Sequence, residues 1–544
     1  MVIAGNFRVK TLDKDQADQV FEFEPYVDRY LYKIKPYYFN YKAFCKERWR
    51  DRKLVDIFTK EFRDRPSEYY ADVISQGGVI VAGQPSTLDT IVRNGDMIIH
   101  KVHRHEPPVS SKQIKVVFQD DDLMSIDKPS GMPVHPTGRY RYNTVTKIIE
   151  RQFDGLVVHP CNRLDTLTSG LMMLAKTRKG ADKLAVQLQN REVEKMYLAQ
   201  VKGEFPASKE IIVDKPLKVI DRKVSLNAVA LERYDCDAKE SRTIFRRISY
   251  DGKTSIVQCR PLTGRTHQIR VHLQYLGFPI ANDPIYSNKE VWGEALGKGG
   301  LNNFDDVILK LDTLGKTNSM GSWMYPCIKD NSKESQMAKC PECNVDIPPD
   351  PSEHELELWL HAYCYKSKDI LSKDDSWSYK TPFPNWALSP HFKYMELALE
   401  QAKMCSSTTA ELRAGAILVH GSEILEAGYS MELPGNTHAV QCAMEKYFAK
   451  IGKRELPVGA TLYTTTEFCS SRVSSKKSCI DYILEMNNSI ETVFVGVAEP
   501  AIFLEDNDTQ SRLENAGINC VYIPGYGKES NKIATKGHTS TNTV

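Results

Sequence analysis

Residues 161–170, CNRLDTLTSG, carry one carboxylate, Asp165, behind Arg163-Leu164 and ahead of the small polar turn Thr168-Ser169-Gly170. Apolar, strand-like sequence stands on both sides, Leu156-Val157-Val158 before and Leu171-Met172-Met173-Leu174 after. A carboxylate on a loop at a strand end is positioned by the scaffold behind it, and such loops are where chemistry is usually done. Arg-Leu-Asp by itself also describes an ordinary surface turn. The weight therefore falls on what else the chain places around it.

At 544 residues the chain is too long for one core, and roughly 150 residues per domain predicts three or four. From Asn385 onward there are 14 Lys/Arg against 18 Asp/Glu, leaving 58 against 52 for the rest. A basic front and an acidic back predict two modules, with any polyanion held by the front one. The first twenty residues have no apolar secretory core and carry acidic residues unsuited to a mitochondrial presequence. No run of about 18 apolar residues occurs, so no membrane span is expected. The 13 cysteines then read as thiols or metal ligands in a reducing setting, the cytoplasm ahead of the mitochondrion.

Residues 1–53 read as an aromatic, charged extension. In 54–108, Leu54, Ile57, Phe58 and Phe62 fit a short amphipathic helix and 69–74 a second. Gly77-Gly78 ends it, and strands follow at 79–81 and 97–100. Strand and turn signals alternate from 116 to about 286. Periodicity then fades until about 380, as in an insertion, and Pro382, Pro384 and Pro390 mark a boundary. Beyond it, helices at 392–404, 438–450 and 479–486 alternate with strands at 414–419, 461–464 and 492–497. The polar tail after Tyr526 reads as disordered.

Three further segments bear on Asp165. Residues 191–199 (REVEKMYLA) set Lys195 and Tyr197 on one face of a strand by period two. Residues 260–272 (RPLTGRTHQIRVH) hold three arginines and two histidines, too many for a solvated strand face. Residues 277–286 (GFPIANDPIY) follow as turn and loop. In this order and spacing the four segments resemble the RluA family of pseudouridine synthases, whose motifs read HRLDxxTSGL, KxYLA, LxTGRTHQIRVH and GxPIxxDxxY. The resemblance covers about 116–286 and resumes at 358–362 (LWLHA), with Asn162 in place of the family's His.

That resemblance implies cofactor-free isomerisation of uridine to pseudouridine in RNA, with tRNA as partner and position 32 of the anticodon loop as the target. It makes Asp165 the nucleophilic or ion-stabilising carboxylate, Arg270 the cation that keeps it ionised, and Tyr197 the stacking partner and general base. Arg163 would fill the gap left by a flipped nucleotide, and Leu262 would wall the pocket. Lys195, Arg265 and His267 would contact the RNA. Residues 54–100 similarly resemble an S4-type RNA-binding fold.

A second constellation lies further on. Residues 436–443 (NTHAVQCA) open a helix, 464–469 (TTTEFC) end a strand, and Cys479 begins the next helix. One His and two Cys near helix starts suit tetrahedral zinc with one position left for water. These residues resemble the cytidine-deaminase-like fold, HxE followed by PCxxC, and the wider Cys spacing resembles the riboflavin-pathway deaminases. The implied zinc ligands are His438, Cys469 and Cys479. Val440 stands where the proton-shuttling Glu belongs, and Phe468 where the Pro belongs. Glu445 lies about 10 Å further along the helix. The expectation is an inert domain. The alternative is a bifunctional enzyme that also deaminates the diaminopyrimidinone ribitol phosphate of riboflavin synthesis.

Cys327, Cys340 and Cys343, with His354 or Cys364, form a third group with the CxxC spacing of a zinc knuckle, equally compatible with free thiols. The whole predicts a multidomain α+β protein. An extension (1–53) precedes an S4-like RNA-binding module (54–108) and a pseudouridine synthase domain with a mixed β-sheet (109–384, insertion about 287–353). An α/β cytidine-deaminase-like domain (385–526) and a disordered tail (527–544) complete it.

Overall fold

A computed structural model describes residues 25–61, 67–207, 210–232, 236–317, 338–368, 376–406, 412–469, 477–486, 489–498, 508–523 and 525–536. They fall into two compact units. One draws on Met1–Lys115, Lys128–Leu167 and Asp312–Glu357, the other on Val116–Asp127, Thr168–Leu311 and Leu358–Val544.

In the first unit the helices Leu54–Glu61 and Ser67–Ser75 bring Leu54, Ile57, Phe58, Tyr70 and Ile74 onto Val79, Val81, Val92 and Ile98. The three- and four-residue spacing of those apolar positions makes the helices amphipathic, as the sequence predicts. Phe62 lies outside the described residues. The strand Tyr37–Phe44 pairs antiparallel along its whole length with Met97–Arg104, and Trp49 is buried in the same core. Part of the stretch read as an extension is therefore a member of this sheet.

Among the described residues the second unit holds two main sheets, besides the two-stranded pair of Leu217–Asp221 with Leu226–Val229. The larger runs in the order Lys115–Gln119, Leu123–Lys128, Ser169–Ala175, Leu360–Ser367, Val193–Lys202, Thr254–Pro261, Arg242–Tyr250 and Ile211–Asp214. At its centre Ser169–Ala175 and Leu360–Ser367 pair in parallel, with Gly170 opposite Ala362. Gly170 has φ +107°, and a Cβ there would collide with the carbonyl oxygen of Ala362. Only glycine tolerates both conditions, which explains the last letter of the TSG turn. The smaller sheet runs Glu423–Tyr429, Gly415–His420, Ala460–Thr464, Ile490–Val495 and Asn519–Tyr522, with helices Asn385–Met404 and Ala439–Ile451 among those packed on it.

The two sheets share buried contacts within this unit. Leu198, Ile248 and Ile256 of the larger pack with Ala387 of the helix Asn385–Met404. Thr492 Oγ1 donates to Ile248 O at 2.6 Å. His391 bonds Ser249 Oγ at 3.0 Å and the Tyr463 hydroxyl at 2.6 Å. Arg247, 3% exposed, meets the 8% exposed Glu491 at 3.1 Å and donates to Phe205 O at 2.8 Å. Burial pushes the Glu491 carboxyl up, against the pull of Arg247.

The structure adds to three readings. Residues 260–272 divide between a strand end and a helix. Thr254–Pro261 ends and a turn leads into the helix Gln268–Leu276, so Arg270 and His272 are buried by helix packing. The tail beyond Tyr526 forms the helix Gly527–Ala534, because Ile533 packs with Leu399 and Ala402; a short apolar anchor outweighs polar composition. The insertion contains the helix Asp305–Thr317 and a hairpin of Ala338–Lys339 with Asp346–Ile347.

The Arg247–Glu491 pair yields a measurable expectation. Arg247→Met leaves Glu491 buried without its closest cation and should cost about 3 kcal/mol in urea unfolding. Adding Glu491→Leu should recover most of that loss.

Candidate active site and metal centres

The loop carrying Asp165 is held from beneath. Lys128, fully buried, donates its ammonium protons to Pro129 O at 2.9 Å, Met132 O at 2.7 Å and Thr166 O at 3.1 Å. A charge removed from water is stable only when oxygen atoms replace its hydration, and three carbonyls meet its three donors. Thr166 O also accepts from Met132 N at 3.1 Å. Ser130 Oγ donates to Leu167 O, and to Leu356 O at 2.7 Å. The backbone just after Asp165 is thus fixed at two successive carbonyls. Leu164 is buried, Asp165 half-buried and Arg163 exposed. Burial and then the Arg163 charge lower the pKa of the His135 ring, so Arg163 lies in its neighbourhood.

The remaining predicted residues of this set belong to the second unit. Lys195 and Tyr197 both reach Tyr365. The Tyr197 hydroxyl bonds that of Tyr365 at 2.7 Å, and the Lys195 ammonium lies 5.8 Å from the ring centroid. Both therefore share one face of the strand, despite a register shift between Met196 and Tyr197. Burial lowers the Lys195 pKa.

Arg270 grips Asp283 with two parallel bonds, Nε to Oδ2 at 2.7 Å and a terminal nitrogen to Oδ1 at 2.9 Å. Both are buried. Burial alone would raise the Asp283 carboxyl; the Arg270 charge and the N–H groups of Tyr286 and Ile285 outweigh it and hold the pKa below the usual range. Asp283 is the Asp of the GxPIxxDxxY motif, to which the sequence reading gave no role.

The turn before this helix is organised by Gln268. Its Oε1 accepts from Thr263 Oγ1 at 2.8 Å and Arg265 N at 3.0 Å, and its Nε2 donates to Arg242 O at 3.0 Å. The result leaves Arg265 exposed and Leu262 half-buried. His267 caps the helix at φ 57° and bonds the Tyr286 hydroxyl at 3.0 Å. His272 and His361 are structural: burial lowers each ring to about 4, and each bonds buried hydroxyls, His272 to Thr243 Oγ1 and His361 to Ser169 and Thr381.

In the smaller sheet's domain His438 Nδ1 lies 3.4 Å from Cys469 Sγ and 3.3 Å from Cys479 Sγ. Cys479 N donates to Cys469 Sγ at 3.4 Å. Hydrogen bonds from Cys479 and then His438 overcome burial and hold the Cys469 thiol well below its ordinary range. One imidazole and two thiolates at such separations fit zinc with a fourth position open. Val440, two residues past His438, is 2% exposed within the apolar cluster that contains Phe468, Cys469 and Cys479. Glu445 is engaged by Arg454 at 3.0 Å, and Glu467 is 8% exposed beside Tyr522.

The third group differs from expectation. Cys340 and Cys343 gather with His103 and His105, not with His354 or Cys364. Cys364 sits on the strand Leu360–Ser367 against Ser378, and Cys327 lies outside the described residues. Two histidines at alternate positions leaving a strand were the signal available.

Residues 122–275 match the family described as RNA pseudouridylate synthase, and residues 388–497 match the cytidine and deoxycytidylate deaminase zinc-binding region. The mitochondrial tRNA pseudouridine(32) synthase of Saccharomyces cerevisiae is 58% identical over 369 residues, 68% of this chain and 79% of that one. The tRNA pseudouridine(31) synthase of the same yeast is 35% identical over 67% of this chain and 97% of its own. A solved Rib2 deaminase from Aspergillus oryzae is 30% identical over 28% of this chain and 94% of that one, with TM-score 0.27.

The Lys128 anchor is open to test. Lys128→Met should lower stability by about 2 kcal/mol, since buried carbonyls lose their donor. Amide exchange at Met132, whose N–H bonds Thr166 O, should accelerate in the variant.

Proposed function

This chain belongs to the RNA pseudouridylate synthase family, and from that premise we propose that it isomerises uridine in tRNA, at position 32 of the anticodon loop. The bond from ribose C1′ to N1 breaks, the base turns, and C1′ rejoins at C5; N1 gains a proton and C5 loses one. Nothing is oxidised or reduced, so the step itself calls for no cofactor. Asp165 supplies the carboxylate that stabilises or captures C1′. The observation that carries this reading is that Asp165 stays accessible beside buried Leu164, on a loop tied down by a buried ammonium. Accessibility serves the substrate, and anchoring removes the disorder that would waste encounters.

Arg270 is the cation that the family resemblance assigns to this step, and within its own unit Asp283 sets its orientation. Tyr197 stacks on the base and accepts a proton, its hydroxyl oriented by Tyr365. Arg163 occupies the space of the flipped uridine, Leu262 walls the pocket, and Lys195, Arg265 and His267 contact the RNA. The 54–108 module adds an S4-like RNA-binding surface.

The C-terminal domain holds zinc through His438, Cys469 and Cys479 but does not deaminate. Bound there, zinc would supply a water of lowered pKa. The expected carboxylate position beside His438 belongs to the apolar side chain of Val440, and Glu445, farther along the same helix, is engaged by Arg454. The domain acts instead as a support for the synthase sheet. Among the described residues no helix is long and apolar enough to cross a membrane. We infer a cytoplasmic location, with the mitochondrion as the second compartment to examine because a similar yeast enzyme is named as mitochondrial.

Asp165→Ala should abolish pseudouridine formation at position 32 in purified tRNA while binding of that tRNA changes little. Undiminished pseudouridine in the variant would overturn the assignment. Zinc-loaded wild-type protein given the diaminopyrimidinone ribitol phosphate should release no ammonia; release at an enzymatic rate would restore the bifunctional reading.

A further inference from the structure

The strand Met97–Arg104 and the residue just past it present two histidines at period two, His103 and His105, with rings edge-to-face at 5.0 Å. Facing them is the turn between Ala338–Lys339 and Asp346–Ile347, which reads Cys340-Pro341-Glu342-Cys343-Asn344. Cys340 N donates to Val345 O at 2.9 Å, and Asn344 N donates back to Cys340 O at 2.9 Å. Asn344 takes φ +54°, the left-handed conformation that Asn tolerates. This folded turn aims both thiols at the histidines. Cys340 Sγ lies 3.6 Å from His103 Nδ1, Cys343 Sγ lies 3.3 Å from His105 Nε2, and all four donor atoms lie within 4.8 Å of one another.

We propose that His103, His105, Cys340 and Cys343 bind a structural zinc ion. Zinc bonds of about 2.0–2.3 Å in a tetrahedron put nitrogen and sulfur donors about 3.6 Å apart. The two cross-pairs stand at that spacing, and small side-chain rotations bring in the rest. Two sulfur and two imidazole donors select zinc over calcium or magnesium, which take oxygen. Four protein ligands leave no position for water, so the site is structural and separate in kind from the three-ligand centre at His438.

The surroundings suit this assignment. His103, His105 and Cys340 are nearly fully buried, where aliphatic side chains would pack more favourably than thiols and imidazoles with no ion between them. With His103 ligating through Nδ1, its Nε2 faces the Glu342 carboxylate at 3.6 Å, the outer-shell acid that commonly orients a ligating histidine. The chain immediately after His105 is fixed by Glu106, whose carboxylate accepts from the N–H groups of Arg141, Tyr142 and Asn143 and meets the Tyr37 hydroxyl at 2.5 Å. Downstream of the knuckle, Asp350 meets Lys33 at 2.5 Å and Pro351 O accepts from the Tyr30 hydroxyl at 3.1 Å. The segment then reaches Leu356, whose carbonyl shares Ser130 Oγ with Leu167. The ion would pin the far end of the segment whose near end braces the Asp165 loop.

Site-resolved thiol alkylation of the full-length protein tests this without a substitution. In protein purified from zinc-supplemented medium, N-ethylmaleimide should leave Cys343 unmodified, while exposed Cys236 reacts as the internal control. After a chelator removes zinc, Cys343 should become reactive, and added zinc should protect it again. Metal analysis of Cys340→Ser/Cys343→Ser should show one zinc per chain fewer than wild type. Cobalt substituted into Cys469→Ser/Cys479→Ser protein should give thiolate charge-transfer absorption and a tetrahedral visible band. Equal alkylation of Cys343 with and without zinc would overturn the site. So would a Cys340–Cys343 disulfide in reduced, zinc-supplied protein, or a cobalt spectrum without thiolate bands.

Discussion

A fully buried ammonium governs the neighbourhood of Asp165. The protons of Lys128 are shared among carbonyls on both sides of the Pro129–Met132 turn and on Thr166, so two backbone segments distant in sequence are tied at one point. The arrangement is costly to dismantle, because freeing any carbonyl leaves part of a buried charge without a ligand. That cost is what turns a loop, by nature the mobile part of a fold, into a fixed mount for a carboxylate. Ser130 repeats the device one residue on, and the hairpin segment at Leu356 closes it from the other side.

The same economy of means recurs in the second unit. Arg270, Asp283 and the N–H groups of residues 285 and 286 make a closed set in which every charge has a partner, so the guanidinium has one orientation rather than many. His272 and His361 are held neutral by burial and used as hydrogen-bonding spacers. A segment crowded with cations in sequence is therefore mostly internal carpentry. Its exposed remainder, Arg265 above all, is what can meet a polyanion.

Much of this was legible from residues alone. The Arg-Leu-Asp turn and the Lys195/Tyr197 face depend on short spacings, which sequence displays directly, and the His438/Cys469/Cys479 triad was read from a motif resemblance. The helices at 54–61 and 67–75 were equally readable from their apolar spacing. What escaped was decided by partners far along the chain. Nothing near Lys128 marks it as buried, since its ligands come partly from Thr166. The role of Asp283 needed the helix bearing Arg270, a segment that was assigned no element from its residues alone. The knuckle cysteines needed His103 and His105, more than two hundred residues earlier. Ile533 shows the reverse error: one apolar residue with a prepared site orders a tail whose composition argues for disorder.

In the C-terminal domain, Val440 joins the apolar core where a proton carrier would be expected. Yet Ala387 and Glu491 remain seated against Leu198, Ile248 and Arg247, so the synthase sheet inherits them as part of its own interior. Cutting the chain ahead of Asn385 would therefore strip buried partners from the synthase sheet, whatever chemistry the C-terminal domain performs.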